Sequence, residues 1–177
     1  MATHETITLG GGCFWCLEAV YERVDGVVAV ESGYCNGHVV APSYEAVCTG
    51  NTGHAEVVRV TFDADRISLR EMLEIFFVVH DPSTPNRQGN DVGTQYRSGI
   101  YVRSPMQDQV AREVLAKVNS QTGRRAVTEV ATEANYSRAE AYHQHYFANH
   151  PDQSYCAFVV APKVDKFKRT FATRYRP

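Results

Sequence analysis

Thr6-Ile7-Thr8-Leu9-Gly10-Gly11-Gly12-Cys13-Phe14-Trp15-Cys16-Leu17-Glu18-Ala19-Val20-Tyr21 decides how this chain is read. Thr6 to Leu9 reads as a short strand, and three glycines then break the pattern. A helix is expected from about Cys13 to Val24, with Leu17, Val20, Tyr21 and Val24 at 3.6-residue spacing. Strand, glycine break and helix in direct succession mark a protein that mixes α and β structure.

Working outward, Val27 to Tyr34 reads as a second strand and Val57 to Phe62 as a third, with Val58, Val60 and Phe62 sharing one face. Ser68 and Glu71 spell a capping box ahead of the stripe Leu69, Met72, Leu73 and Phe76. Ser98 to Val102 is a further strand. Ser104-Pro105 opens a helix with proline at its first position and a core face of Met106, Val110, Val114 and Val118. Ala126 to Ala131 suggests another strand. Ser137 and Glu140 repeat the capping box before a helix ending near Asn149. From Lys163 onward, Val164, Phe167, Phe171 and Tyr175 fall on a helical stripe, and the six basic residues there read as a solvated face. Without strict βαβ alternation, the elements imply an α+β layer, sheet on one side and helices on the other. Two long polar segments, Cys35 to Gly53 and Asp81 to Arg97, hold most of the unusual residues, and long ordered loops usually serve function.

The 177 residues suit one domain, and 44% apolar with 21% charged residues can fill a core. A net charge of −2 excludes a whole-domain basic footprint for nucleic acid. The longest apolar runs, Ile75 to Val79 and Ala157 to Ala161, are far short of a membrane span. Neither a basic nor an apolar leader opens the chain, so no secretory signal is read. Five cysteines, at 13, 16, 35, 48 and 156, are an odd count for a stapled secreted scaffold. Reduced thiols in a cytoplasmic protein are expected instead.

Cys13 falls at the start of a helix, where partial positive charge and free N–H groups favour a thiolate. A depressed pKa and a competent nucleophile are therefore expected, against the simpler reading of a buried structural cysteine. Phe14 and Trp15 cannot both pack with Leu17 and Val20, so at least one should line a pocket beside the sulfur. Cys13 and Cys16 form C-x-x-C, which reads as a redox pair or half a zinc site. Zinc needs a second pair. Cys35 and Cys48 are too far apart to be one, and His143 and His145 would point to different sides of a helix. Glu56 at the head of the third strand is either solvated or a carboxyl with a raised pKa acting as an acid. Tyr44, Asp91 and Tyr96 are ambiguous singly.

Together they are not. Gly-Cys-Phe-Trp at 12 to 15, Thr-Gly-His-Ala-Glu at 52 to 56 and Gly-Asn-Asp-Val-Gly-Thr-Gln-Tyr-Arg-Ser at 89 to 98 resemble the A-type peptide methionine sulfoxide reductases in residues and spacing. His80-Asp81-Pro82 and Ala139-Glu140-Ala141-Tyr142-His143-Gln144 match as well. The resemblance covers residues 7 to 160. It implies a single-domain α/β plait with a ferredoxin-like mixed sheet, helices and long coil. It implies reduction of the S-epimer of methionine sulfoxide, free or in proteins. Cys13 would be the nucleophile, Phe14 and Trp15 would hold the substrate methyl, Glu56 would be the acid, and Tyr44, Tyr96 and Asp91 would complete the site. Attack leaves a sulfenic acid, a second thiol forms a disulfide, and thioredoxin or another dithiol resets the enzyme. No metal, flavin or nicotinamide is implied, nor is a membrane or nucleic-acid partner, and a monomer is expected. Cys156, read as lying on a mobile polar loop after Asn149, is the favoured resolving thiol, with Cys16 the alternative. A thioredoxin-like disulfide oxidoreductase using Cys13 and Cys16 is the rival enzyme, although it would need tryptophan before the first cysteine. A module that binds methionine peptides without turnover is the non-enzymatic rival.

Overall fold

The computed structural model describes residues 3–123 and 125–177. β1 (His4–Gly10) leads into α1 (Phe14–Tyr21), and β2 (Val27–Cys35) returns. A short helix α2 (Tyr44–Cys48) interrupts the first long loop before β3 (Ala55–Asp63) and α3 (Leu69–Val79). The second long segment folds into a small hairpin, β4 (Arg87–Gln88) and β5 (Asp91–Val92). Then come β6 (Gly99–Val102), α4 (Pro105–Thr122), β7 (Glu129–Thr132), β8 (Ser137–Arg138) and α5 (Tyr146–Asn149). A π-helical turn, Cys156–Val160, continues into α6 (Ala161–Thr170).

The main sheet has the order β7-β6-β1-β3-β2-β8. β1 lies antiparallel to both β3 and β6, while β7 joins β6 in parallel, so the sheet is mixed. Without the edge strands, the order β6-β1-β3-β2 with α1 and α3 as connections is a β-α-β-β-α-β plait. The alternation anticipated in β3 is present. Val58, Val60 and Phe62 are fully buried in the main core, beneath Leu17 and Val20 of α1, Met72 and Phe76 of α3, and Phe167 of α6. Burying each such side chain is worth roughly 1.5–3 kcal/mol. Val57 and Ala55 face the other way, into a small second cluster with Cys35 and Tyr101.

The capping box at Ser68 and Glu71 forms as expected. The second, at Ser137 and Glu140, does not. Ser137 pairs with Tyr34 in the sheet, and Glu140 receives hydrogen bonds from distant groups instead of capping a helix. The expected face of α4 is also offset. Met106 is exposed and Val110 and Val118 only half-buried, while Gln107, Ala111 and Val114 are buried. The Gln107 side chain explains the rotation, since it bonds both Arg103 N–H and the Thr6 carbonyl and so faces inward. α1 ends at Tyr21 rather than Val24 because its last bonds tighten to i→i+3. Phe171 and Tyr175 lie beyond α6, half-buried against the core. Among the described residues, no helix is long and apolar enough to cross a membrane.

Candidate active site

Cys13 sits between β1 and α1 as the residue immediately preceding the helix. The glycines before it are dictated by what lies against them. A Cβ on Gly11 would stand 3.1 Å from the His80 ring. Gly12 has φ +93°, and a Cβ there would be 2.7 Å from Gln88. Gln88 is itself clamped. Its amide receives Asp81 N–H and donates to the Asp81 carbonyl, both at 2.9 Å, and it pairs with Asp91 across the β4–β5 hairpin. The nucleophile's turn and the Asp91 hairpin are thus packed on one another.

The electrostatics of Cys13 correct the expectation of a depressed pKa. The thiol is buried, and burial pushes its pKa well up, with the neighbouring Glu56 carboxylate next in effect. The Trp15 N–H at the helix start pulls the other way and does not prevail. Cys13 therefore rests as a thiol.

Glu56 stands beneath the start of α1. Its Oε1 accepts Phe14 N–H at 3.2 Å. Its Oε2 is buried and has no hydrogen-bond partner among the described residues. Burial raises its pKa to about 8, the Phe14 N–H opposes, and Asp91 adds a smaller upward push. Of the two sequence readings, the solvated strand end is excluded, since Glu56 is 1% exposed. A neutral carboxylic acid with a free oxygen is what the site contains at pH 7.

Tyr44 begins α2, held by its N–H to Glu140 Oε2 at 2.9 Å. Tyr96 closes the 3₁₀ turn Thr94–Tyr96. Burial, and then Glu56, raise the pKa of both hydroxyls, so both remain donors. Asp91 Oδ2 accepts the Tyr155 hydroxyl at 2.5 Å. Arg97 ties the loops together through the Thr94 and Gly53 carbonyls. Phe14 is fully buried, tilted against Tyr34 and His143. Trp15 is half-buried and is the aromatic that retains open surface. Its indole stacks on Tyr146 at 3.7 Å and 4°, and its N–H donates to His143 Nδ1 at 3.1 Å. Burial holds His143 neutral, as that acceptor role requires.

Tyr155, His143, Tyr146 and Gln88 are thus site residues to which sequence reasoning assigned no role. The signal for Tyr155 was its position beside Cys156. His143 stood in the Ala139-to-Gln144 motif, and no sequence signal marked Tyr146. Cys156 is not on a mobile loop. It is buried in the π-helical turn, because one side of that turn, with Val160 and then Val164, packs into the core. Cys16 neighbours it, and the Tyr155 hydroxyl lies 3.9 Å from Cys16 Sγ. Cys35 belongs to the opposite side of the sheet. Cys48 is exposed, with its sulfur on the Tyr44 hydroxyl. All five cysteines are unpaired. Glu18, Glu22 and His145 bring ligand atoms within 4.8 Å of one another, but Glu18 already bonds Ser32 and Tyr146, and Glu22 bonds His145.

A buried thiol and a neutral carboxyl at one helix start, with two tyrosine hydroxyls in electrostatic reach of that carboxyl, can stabilise an oxygen that gains charge as sulfur attacks sulfur. The family model described as peptide methionine sulfoxide reductase matches residues 5–175. The chain belongs to the peptide methionine sulfoxide reductase family. Within it, the chain is 52% identical over 172 residues to peptide methionine sulfoxide reductase MsrA of Saccharolobus solfataricus, covering 97% of each protein. Among solved structures it is similar to the reduced form of Mxr1 from Saccharomyces cerevisiae, with a TM-score of 0.80 and 35% identity, covering 85% of this chain and 87% of that one. Mxr1 in complex with Trx2 matches with a TM-score of 0.57 and 26% identity, covering 81% and 84%. The fold brings Cys13, Glu56, Tyr44, Tyr96 and Asp91 within electrostatic reach of one another.

Proposed function

We propose that this chain reduces methionine S-sulfoxide, free and within polypeptides, to methionine, and that thioredoxin or a similar dithiol renews it. The observation that carries the reading is Glu56 Oε2: buried, unpartnered and protonated at neutral pH, beside the thiol at the start of α1.

Glu56 shares its proton with the sulfoxide oxygen, while the Tyr44 and Tyr96 hydroxyls donate to the same atom and Asp91 orients donors. The substrate sulfur becomes electrophilic. Cys13 loses its proton to the Glu56 carboxylate as it attacks, the substrate S–O bond breaks, and an S–O bond forms on Cys13. Methionine leaves and Cys13 is a sulfenic acid. Trp15, fixed by His143 and Tyr146, offers an apolar wall to the substrate methyl, with Phe14 behind it. Cys16 stands one helical turn along from Cys13, with its N–H on the Cys13 carbonyl at 3.1 Å. It condenses with the sulfenic acid, releasing water and forming a disulfide. Cys156, beside Cys16, exchanges with that disulfide and presents it to the external dithiol. This order replaces the preference for direct resolution by Cys156, whose thiol is buried in a helical turn rather than carried on a coil loop. The unpaired thiols fit a reducing cytoplasmic setting. Residues 1–177 acting as one monomeric catalytic domain complete the proposal. The solved complex of the yeast relative with Trx2 supports the choice of reductant.

The test is a single turnover without reductant. One methionine per chain and the loss of two thiols are expected, from the S-epimer and not the R-epimer. Cys13→Ser is expected to fold and to form none. Methionine production by Cys13→Ser, or preference for the R-epimer, overturns the reading.

A further inference from the structure

A cavity of about 320 Å³ opens beside the site, walled by Asp91, Tyr155, Phe158, Pro162 and Lys163. A larger one, of about 680 Å³, lies beyond it, with Phe77, His80, Val118, Lys163 and Lys166 in its wall. Lys163 and Gln88 border both, so the two are halves of one groove. Phe158 is 81% exposed at the lip, an uncovered aromatic next to a polar site. The floor beyond is basic. Of the charged side chains in its wall two are basic, Lys163 and Lys166. Asp81 also lies on the wall of the larger cavity, with its Oδ1 engaged by the Ser83 N–H and hydroxyl.

We infer that this groove seats the polypeptide that carries the sulfoxide, and that it favours an apolar residue next to the sulfoxide followed by an acidic one. The inference rests on the reductase reading above. The slot lies beside the attacking thiol, since Gln88 in its wall packs against Gly12, the residue before Cys13. A concave channel suits an extended segment rather than the convex face of a folded partner. Phe158 offers apolar contact to the first flanking side chain. Lys163 and Lys166 are one helical turn apart, ~5 Å, which is less than two residues of extended chain. A single carboxylate, or two acidic residues in alternate positions, therefore meets both ammonium groups. Free methionine sulfoxide reaches none of this and should be indifferent to it.

The experiment uses the full chain and capped seven-residue peptides with methionine sulfoxide at the centre, two residues outward bearing either Asp or Lys on either flank. N-acetyl-methionine sulfoxide is the small control. Methionine release in a single turnover without reductant isolates the first step from recycling. The acidic peptide is expected to outperform the basic one about 1.5- to 5-fold in rate over half-saturation, the range exposed ion pairs supply. Lys163→Glu with Lys166→Glu should reverse that order and leave the small control unchanged. Phe158→Ser should weaken both peptides alike and spare the control. An order unaltered in the double variant overturns the inference. So does a double variant with unchanged peptide reduction but weaker use of thioredoxin, which would assign the groove to the reductant. Failure of the native chain to reduce the small control would instead overturn the reductase reading itself.

Discussion

Replacing Glu56 by Gln removes one proton from the site and almost no volume. The native carboxyl has a pKa of about 8. It is therefore about nine-tenths protonated at pH 7, and its Oε2 has no hydrogen-bond partner among the described residues. Two consequences of opposite sign follow. In the first reductive step an amide donates a hydrogen bond but cannot deliver a proton, so the rate should fall about 10²–10⁴-fold. The native rate should be level below pH 7 and decline above pH 8 as the acid is lost, and this limb should vanish in the variant. Stability moves the other way. An unfolded Glu titrates near its model value of 4.5, whereas the folded one holds its proton to about 8. Between those values the folded chain binds more protons than the unfolded one, so native stability falls as pH rises and levels off above about 8. At pH 7 the gap of roughly 2.5 units amounts to ~3 kcal/mol. Glu56→Gln, with nothing to ionise, should escape it and melt higher than the native chain at pH 7, with the difference fading towards pH 4. Quenched single-turnover methionine release and thermal melts across pH 4–9 measure both. A variant with native release rates, or one less stable than the native chain at pH 7, refutes the protonated-acid reading.

Peptide mapping of the oxidised protein should find a Cys13–Cys16 bridge in Cys156→Ser, and in Cys16→Ser a sulfenic acid that persists for longer than in the native chain. Rapid formation of a Cys13–Cys156 or Cys13–Cys48 bridge in Cys16→Ser would displace Cys16 from its role. Gly12→Ala combines a left-handed φ with a contact on Gln88 far inside van der Waals range. It should lower stability by about 1–3 kcal/mol and slow methionine release, as measured by denaturant midpoint and single turnover, and native values in both would show that the turn tolerates a Cβ.

The same four-letter pattern had two outcomes. Ser68-Leu69-Arg70-Glu71 caps a helix because its apolar stripe continues and Glu71 keeps Oε1 for Ser68 while Arg174 takes only its Oε2. Ser137-Arg138-Ala139-Glu140 does not, because Tyr34 and Tyr44 claim the Glu140 carboxylate from residues about a hundred positions away. Strands such as β3 were legible because alternation is a local property. Edge pairings were not, since β8 is two residues long. In the site, Cys13 and Glu56 were visible through motif and context, but the thiol's pKa was misjudged. The helix-start effect is written in the local sequence, whereas the burial that outweighs it is built by segments such as β3 and the β4–β5 hairpin. Tyr155 escaped notice for the same reason: its value lies in reaching Asp91 across a separation of 64 residues.

β1 lies between β3 and β6, and neither neighbour is close to it in the chain. The strand that leads to the nucleophile thus leaves the ribosome before both its neighbours, and residue 102 must emerge before both its edges are paired. Such long-range closure slows folding relative to helical bundles. Glu140, His143 and Tyr155 join later still, after the sheet. A nascent chain of this protein can therefore hold a complete central sheet while the walls around Cys13 are unbuilt. Its reactive sulfur is more open to solvent during synthesis than at any later time.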